Sequence, residues 1–268
     1  MRVYFFVAVT HLPSRGEHAT SPVVLDYLQV IHYMTRDGVP VIAARLAERL
    51  GVTPPTVTAT LQRMERDGLI HHTARKAIVF TELGQRMAED TVRRHALAER
   101  LLTDLLKMPW HEAHEEAHGI EHALTPKIEA RLLRALKDPT TCPHGNPIPG
   151  LGALAPDEFP LDTVQAGDAV IIERITEEAE EDLQLMRYLQ EHGVEPGAHM
   201  RVSESSPFNA LVVLEGEHGS VPLGLRIAAK LRARHRLPAR PELVEGREAL
   251  PAPGSSGRRP QRSATGSP

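Results

Sequence analysis

The chain has 268 residues, a formal net charge of −4 at pH 7, 41% hydrophobic and 25% charged residues, which suits two or three small globular domains rather than one large core. Aromatic content is only 4% and Cys142 is the single cysteine, so the cores are built from Leu, Ile, Val and Ala, and an internal disulfide is excluded. There is no apolar run of the roughly 18 residues that a membrane helix needs; with the lone thiol, this points to a cytoplasmic protein without a membrane partner.

Residues 1–20 begin with an apolar stretch, Met1 to Val9, that is short for a signal peptide, and are expected to be a disordered extension. Ser21-Pro22 then reads as a cap and first-turn proline, with Val24, Leu28 and Ile31 at helical spacing as far as Gly38. A second helix is expected over Val41 to Leu50, stopped by Gly51. Thr53-Pro54-Pro55 starts a third that runs to Gly68. Two β-prone runs, 69–72 and 77–81, flank a polar turn with Arg75 and Lys76. Helix, helix, tight turn, helix and a two-stranded wing make residues 21–84 a winged helix-turn-helix domain, the form of a DNA reader.

Helical periodicity resumes over 85–107, is broken at Pro109 and continues over about 111–123 and 125–137, giving a helical domain over 85–139. TTCPHGNPIPG (140–150) opens a Pro-rich, ordered connector, 140–159. Residues 160–232 carry short β-type segments with glycine turns, interrupted by a helix at about 180–192, the pattern of a small SH3-like barrel. Residues 233–268 are rich in Pro, Arg, Gly and Ser and are expected to be a disordered tail. The fold class is therefore mainly α with small β parts.

In the third helix Val57, Leu61 and Met64 form the inner stripe, and Thr56, Thr58, Thr60 and Arg63 the outer face. Short hydroxyl side chains let a helix lie close in the major groove of double-stranded DNA, and their methyls can touch thymine. Thr53 and Pro55 mark the helix start, where a phosphate can sit. Arg75 and Lys76 suit backbone phosphate. The bland alternative is any amphipathic helix pair. Charge counsels attention: Arg36, Arg45, Arg49, Arg63, Arg66, Arg75 and Lys76 barely outnumber Asp26, Asp37, Glu48, Glu65, Asp67 and Glu82. A nearly neutral reader gains from a bound cation that neutralises carboxylates.

His95 and Glu99 are four apart on one helical face. On the next helix His114, His118 and Glu121 lie along one stripe with His122 beside it. Imidazole and carboxylate together suit divalent first-row metals. His111, Glu112, Glu115 and Glu116 read as a solvated face, and His32, His71 and His72 as bystanders.

The blocks ARLAERL (44–50), PPTVTATLQRMERDGL (54–69), HALAERLLTDLL (95–106), HEEAHGIEHAL (114–124) and PHGNPIPG (143–150) resemble the diphtheria-toxin-repressor family of iron- and manganese-dependent regulators over roughly residues 22–232. The resemblance implies a homodimer in which the helical domain both dimerises and binds metal, and two metal sites per subunit. Asp26, His118, Glu121 and His122 match the primary site. His95, Glu99 and His114 match the ancillary site, completed from the SH3-like domain by Glu181 and Gln184 after a one-residue insertion, with Asp182 as a competing choice. It implies a transcriptional repressor of metal-homeostasis genes, in which metal joins Asp26 of the reader to the helical domain and orients both recognition helices on a palindromic operator. Asp26 and His118 stand where iron-type members have methionine and cysteine. The resulting oxygen and nitrogen set points to Mn(II). Manganese-type members often have carboxylates at the positions of Gln29 and His118, so Fe(II) stays the alternative.

No enzymatic activity is expected. Glu115 and His118 form one Glu-x-x-His pair, but a helical-bundle metal-carboxylate enzyme needs a second, and no nucleophile motif or Gly-rich phosphate loop is present. A metal-independent winged-helix regulator accounts for residues 21–84 but leaves the 95–122 cluster without a purpose.

Overall fold

The computed structural model describes residues 21–236; the expected extensions over 1–20 and 237–268 lie outside the described residues. Helix α1 (Pro22–Arg36) starts with proline at its first position, where the missing N–H costs nothing. Ser21 takes the extended backbone of a cap, but its hydroxyl makes no cap bond and is buried without a partner. Helix α2 (Ala43–Arg49) ends at Gly51, whose φ of +62° makes the tight turn. Helix α3 (Pro54–Arg66) leads through Gly68 to strands β1 (Ile70–His72) and β2 (Ile78–Phe80), paired antiparallel. Leu28, Ile31, Leu46, Val57, Leu61, Met64, Ile70 and Ile78 close one core.

Helix α4 (Glu82–Arg100) leaves the wing abruptly. The Thr81 hydroxyl accepts from the Gly84 N–H at 3.1 Å and donates to the Gly68 carbonyl at 2.6 Å. A Cβ on Gly84 would stand 1.9 Å from the Leu69 carbonyl oxygen, so glycine alone permits this approach. The helix passes into a π-helical turn, Leu101–Leu105. The stretch expected as one helix over 111–123 is broken into a 3-10 turn (Trp110–Glu112), α5 (Ala113–Ile120) and another 3-10 turn (Glu121–Ala123), before α6 (Pro126–Ala135) capped by Thr125.

The connector is part of the packing. Cys142 and Ile148 are buried against Ala96 and Leu97 of α4, and the Trp110 indole N–H donates to the Pro143 carbonyl at 3.0 Å. Gly145 (φ +88°) presses its backbone on β4, where a Cβ would meet the Glu173 carbonyl at 2.2 Å. Beyond it β3 (Phe159–Pro160), β4 (Ala169–Ile175), β5 (His199–Ser206), β6 (Leu211–Gly216), β7 (Gly219–Gly224) and β8 (Leu231–His235) form an antiparallel sheet in the order β3-β8-β4-β5-β6-β7. Bulges at Ile172/Arg174 and Val202/Glu204 bend it around Val170, Ile172, Val202, Val212, Leu214 and Ala233. Because β8 pairs with β4 as far as His235, ordered structure passes the boundary expected at 232. The helix expected over 180–192 is two: α7 (Glu177–Glu180) and α8 (Leu183–Glu191), with α9 (Leu225–Ala228) before β8. No helix among the described residues is long and apolar enough to cross a membrane.

Candidate metal centre and nucleic-acid interface

His95 and Glu99 project from adjacent turns of α4, and both are about 1% exposed. His95 Nε2 is 3.1 Å from Glu99 Oε1 and 3.1 Å from His114 Nδ1 of α5, while its Nδ1 is 2.5 Å from Glu121 Oε2. One imidazole therefore joins the two expected sites. Glu121 can turn inward because α5 ends at Ile120 and the following 3-10 turn redirects the chain. Its other oxygen, Oε1, lies 3.6 Å from His118 Nδ1 and 3.5 Å from His122 Nε2. His122 Nε2 is 3.9 Å from Asp26 Oδ1 on α1. Donor atoms of Asp26, Glu121 and His122 lie within 4.8 Å of one another, so all four expected primary residues gather around Glu121.

The ancillary cluster differs from expectation in its last members. Glu177 and Glu180 of α7, both buried, face it. Glu180 Oε2 is 3.0 Å from His114 Nδ1 and 3.2 Å from His144 Nδ1, and Glu177 Oε2 is 3.8 Å from His114 Nδ1. Glu181 and Gln184 are exposed, and Glu181 lines the cleft beside Asp26, His114 and Glu177 rather than the buried cluster. Glu181 pairs with Arg49 at 2.8 Å. Gln184 belongs to a new helix, because Asp182 caps α8, its Oδ1 accepting from the Gln184 and Leu185 N–H groups at 3.1 Å. Sequence reasoning also passed over His144, fully buried, and Cys142, whose donor atoms lie within 4.8 Å of each other and of Glu99. A histidine two residues from the lone cysteine in an ordered connector was the available signal.

Burial raises the free energy of every charge here, and the pairs answer it. Desolvation pulls the His95 and His144 imidazoles down, but their carboxylate neighbours outweigh it and hold both well above the ordinary histidine value. His114 is likewise raised to about 9 by contact with Glu180 and Glu99. Against desolvation, the histidines push Glu99 well below the usual carboxylate range and Glu121 and Glu180 to about 2. Glu177 goes the other way: burial and the Glu180 charge hold it well above the usual range.

Glu121 Oε1, Glu177 Oε2, Glu180 Oε2 and His144 Nδ1 are buried and make no hydrogen bond. Such orphaned groups are costly unless something completes them. Glu177 Oε2, Glu180 Oε2 and His144 Nδ1 lie on the ancillary side and Glu121 Oε1 on the primary side; oxygen and nitrogen donors of this kind fit divalent cations, whose binding releases protons from their ligands. A cleft of about 450 Å³ lined by Asp26, Gln29, Tyr33, His118 and His122 opens beside them. Gln29 donates to the Tyr33 hydroxyl at 2.8 Å.

The eight residues expected to face DNA lie along α3 and the wing. Thr53, Pro55, Thr56, Thr58, Arg63, Arg75 and Lys76 are exposed and Thr60 is half-buried. Three hydroxyls are already engaged: Thr53 with Thr56 at 2.9 Å, and Thr58, donating to the Pro54 carbonyl at 3.0 Å. Their methyls and the Arg63 guanidinium, 3.7 Å from Asp67, remain the outward features. Lys76 sits at the wing tip with φ +61°.

Comparison with known proteins matches three stretches of the chain. Residues 19–78 match the family described as iron dependent repressor, N-terminal DNA binding domain. Residues 81–150 match iron dependent repressor, metal binding and dimerisation domain, and 159–235 match the FeoA domain. The iron-dependent repressor IdeR of Mycobacterium leprae is 38% identical over 217 residues, 76% of this chain and 94% of that protein. The diphtheria toxin repressor of Corynebacterium glutamicum is 37% identical over 185 residues, 66% of this chain and 81% of that one. A solved manganese-dependent transcriptional repressor in complex with manganese superposes with a TM-score of 0.72 at 31% identity, covering 80% of this chain and all of that one.

Proposed function

The chain belongs to the iron-dependent repressor family, whose members are metal-dependent DNA-binding transcriptional repressors rather than enzymes, and on that premise we propose that its own effector is Mn(II), acting in the cytoplasm through Asp26, His118, Glu121 and His122. The observation that carries this reading is the meeting of Asp26, from the reader's first helix, with Glu121 and His122 of the dimerisation domain. A divalent cation held there supplies positive charge that ligands from two domains share. Asp26 contributes the reader's share, and it orients α1 and with it α3. Glu121 serves as the hub, one oxygen toward His118 and His122 and the other on His95. In a homodimer the two α3 helices then present matching faces to the halves of a palindromic operator. His95, Glu99, His114, Glu177 and Glu180, with His144 beside them, form the ancillary site.

The choice of manganese rests on the absence of sulfur among the four primary residues. Iron(II) is favoured by the names of the relatives and by Cys142, a softer donor beside the ancillary cluster. Anaerobic titration of operator binding by the metal-free dimer separates the two. Mn(II) is expected to switch binding on at micromolar levels with Fe(II) the poorer effector. Equal or better activation by Fe(II) reverses the metal, and indifference to both leaves a metal-independent regulator.

Arg63→Ala is expected to weaken operator binding by about 1–3 kcal/mol with metal affinity unchanged, because Arg63 is exposed on α3 and far in sequence from every ligand. A gel-shift series beside a metal titration checks it; a large loss of metal affinity would move Arg63 out of the DNA face.

A further inference from the structure

Helix α1 is engaged near both of its ends. Asp26 faces Glu121 and His122, and Arg36, the last residue, lies ten positions on, about 15 Å along the axis, against the ancillary cluster. Arg36 Nη1 is 3.7 Å from Glu177 Oε1, an ion pair without a hydrogen bond, with both side chains under 10% exposed and Nη1 otherwise unpartnered. The second oxygen of the same carboxylate, Oε2, is the orphaned one facing His114. Arg36 is itself held in place. Its Nε and Nη2 donate to the Asp37 carboxylate at 3.3 and 3.4 Å, and its guanidinium lies 5.2 Å from the centre of the Tyr33 ring. Its position is therefore a property of the end of α1.

We propose that Arg36 is a positioning residue for the ancillary metal site: it holds Glu177 by one oxygen so that the other faces the cluster, and so ties filling of that site to the docking of α1 on the C-terminal domain. The proposal rests on the reading of the cluster as a metal site. A ligating carboxylate is oriented by what binds its second oxygen, and loss of such a partner costs roughly 10–100-fold in metal affinity. The guanidinium suits the task because it stays charged throughout the accessible pH range. It also opposes the repulsion that Glu99 and Glu180 exert on Glu177, which without a fixed cation would turn away. By reciprocity, whatever Arg36 contributes to cation affinity at Glu177, a cation there returns as stability of the last turn of α1. The reader is then located at two points, by Asp26 at one end of the helix and by Arg36 at the other.

The test uses the full-length metal-free dimer and MnCl2 as the probe, with calorimetric titration for the sites and backbone hydrogen exchange for residues 33–37. In the parent protein Mn(II) should fill two sites per subunit and slow exchange in the last turn of α1. In Arg36→Gln the ancillary affinity should fall about tenfold and the added protection should vanish. The Asp26-dependent site should keep its affinity, which also reports that the variant is folded. Arg36→Lys, which keeps the charge without the planar fork, should fall between the two. An Arg36→Gln protein that keeps both the ancillary affinity and the metal-induced protection would overturn the relay while leaving the site in place. A parent that takes up only the Asp26-dependent ion overturns the ancillary site, and the relay with it.

Discussion

Asp26→Ala should abolish metal-dependent operator binding while leaving the dimer intact. Asp26 is the one expected primary residue in the reader domain, and its side chain is 48% exposed, with the His122 imidazole 3.9 Å away. Removing it costs the fold little, since half-exposed groups without tight partners contribute little. The functional cost is large: His118, Glu121 and His122 still gather on the dimerisation domain, but nothing ties them to α1. Loss of an outer partner already costs up to about 100-fold in metal affinity, and loss of the bridging ligand should raise the Mn(II) concentration for half-maximal operator binding by at least that order. Light scattering checks the dimer, and fluorescence anisotropy with an operator duplex reads the binding. Operator affinity that stays at the parent level at the same Mn(II) concentration would remove Asp26 from the primary site.

The largest expected effect on stability belongs to Arg174. This side chain is 2% exposed, and it gathers Asp37 of the reader at 2.9 Å, Glu158 at 2.7 Å and Asn146 of the connector at 3.1 Å. Arg174→Met keeps the volume but strands Glu158 and leaves Asp37 to Arg36 alone, and breaking a buried pair in this way costs about 3–5 kcal/mol. Denaturant unfolding should show the loss as a lower midpoint; an unchanged midpoint would mean that Asp37 and Glu158 find other partners. The pH dependence has a definite sign. Burial raises the Asp37 carboxyl, but Arg36 and Arg174 outweigh it and hold it below the usual value. A depressed native pKa gives stability that is full above the unfolded value of about 3.9 and is lost as pH falls through the native one. The gap between parent and variant should therefore be constant near neutrality and narrow only in acid.

The reader domain was legible because its punctuation is local. Pro22, Gly51, Pro54, Pro55 and Gly68 stop and start helices by their own backbone chemistry, and the structure uses each where the periodicity predicts. The His95–Glu99 and His114–His118 pairs were legible for the same reason, since spacing of four on a helix sets a common face. The acidic run over 177–182 carries no such phase. Spacing alone lets 177 pair with 180 or with 181, and the choice is made by tertiary contacts. Thr176 N–H donates to the Lys230 carbonyl at 2.9 Å, while Glu178 and Glu181 are drawn outward by Lys230 and Arg49. The break after Ile120 was equally invisible to periodicity, although it is what turns Glu121 toward His95 and His122 toward Asp26.

The seating of the connector decides where this protein can be cut. A fragment ending at residue 139 would strip Cys142 and Ile148 from the apolar contact on Ala96 and Leu97, and would take away the carbonyl oxygens of Thr141 and Cys142 that accept from the Arg100 guanidinium at 2.8 and 3.1 Å. A fragment ending at 150 keeps all of these, and gives up only contacts to the C-terminal domain, such as those of Arg36 and His144 with Glu177 and Glu180 and of Asn146 with β4. Dissection into separately expressed pieces should therefore place the boundary after the proline-rich loop, which belongs to the helices before it as much as to the sheet that follows.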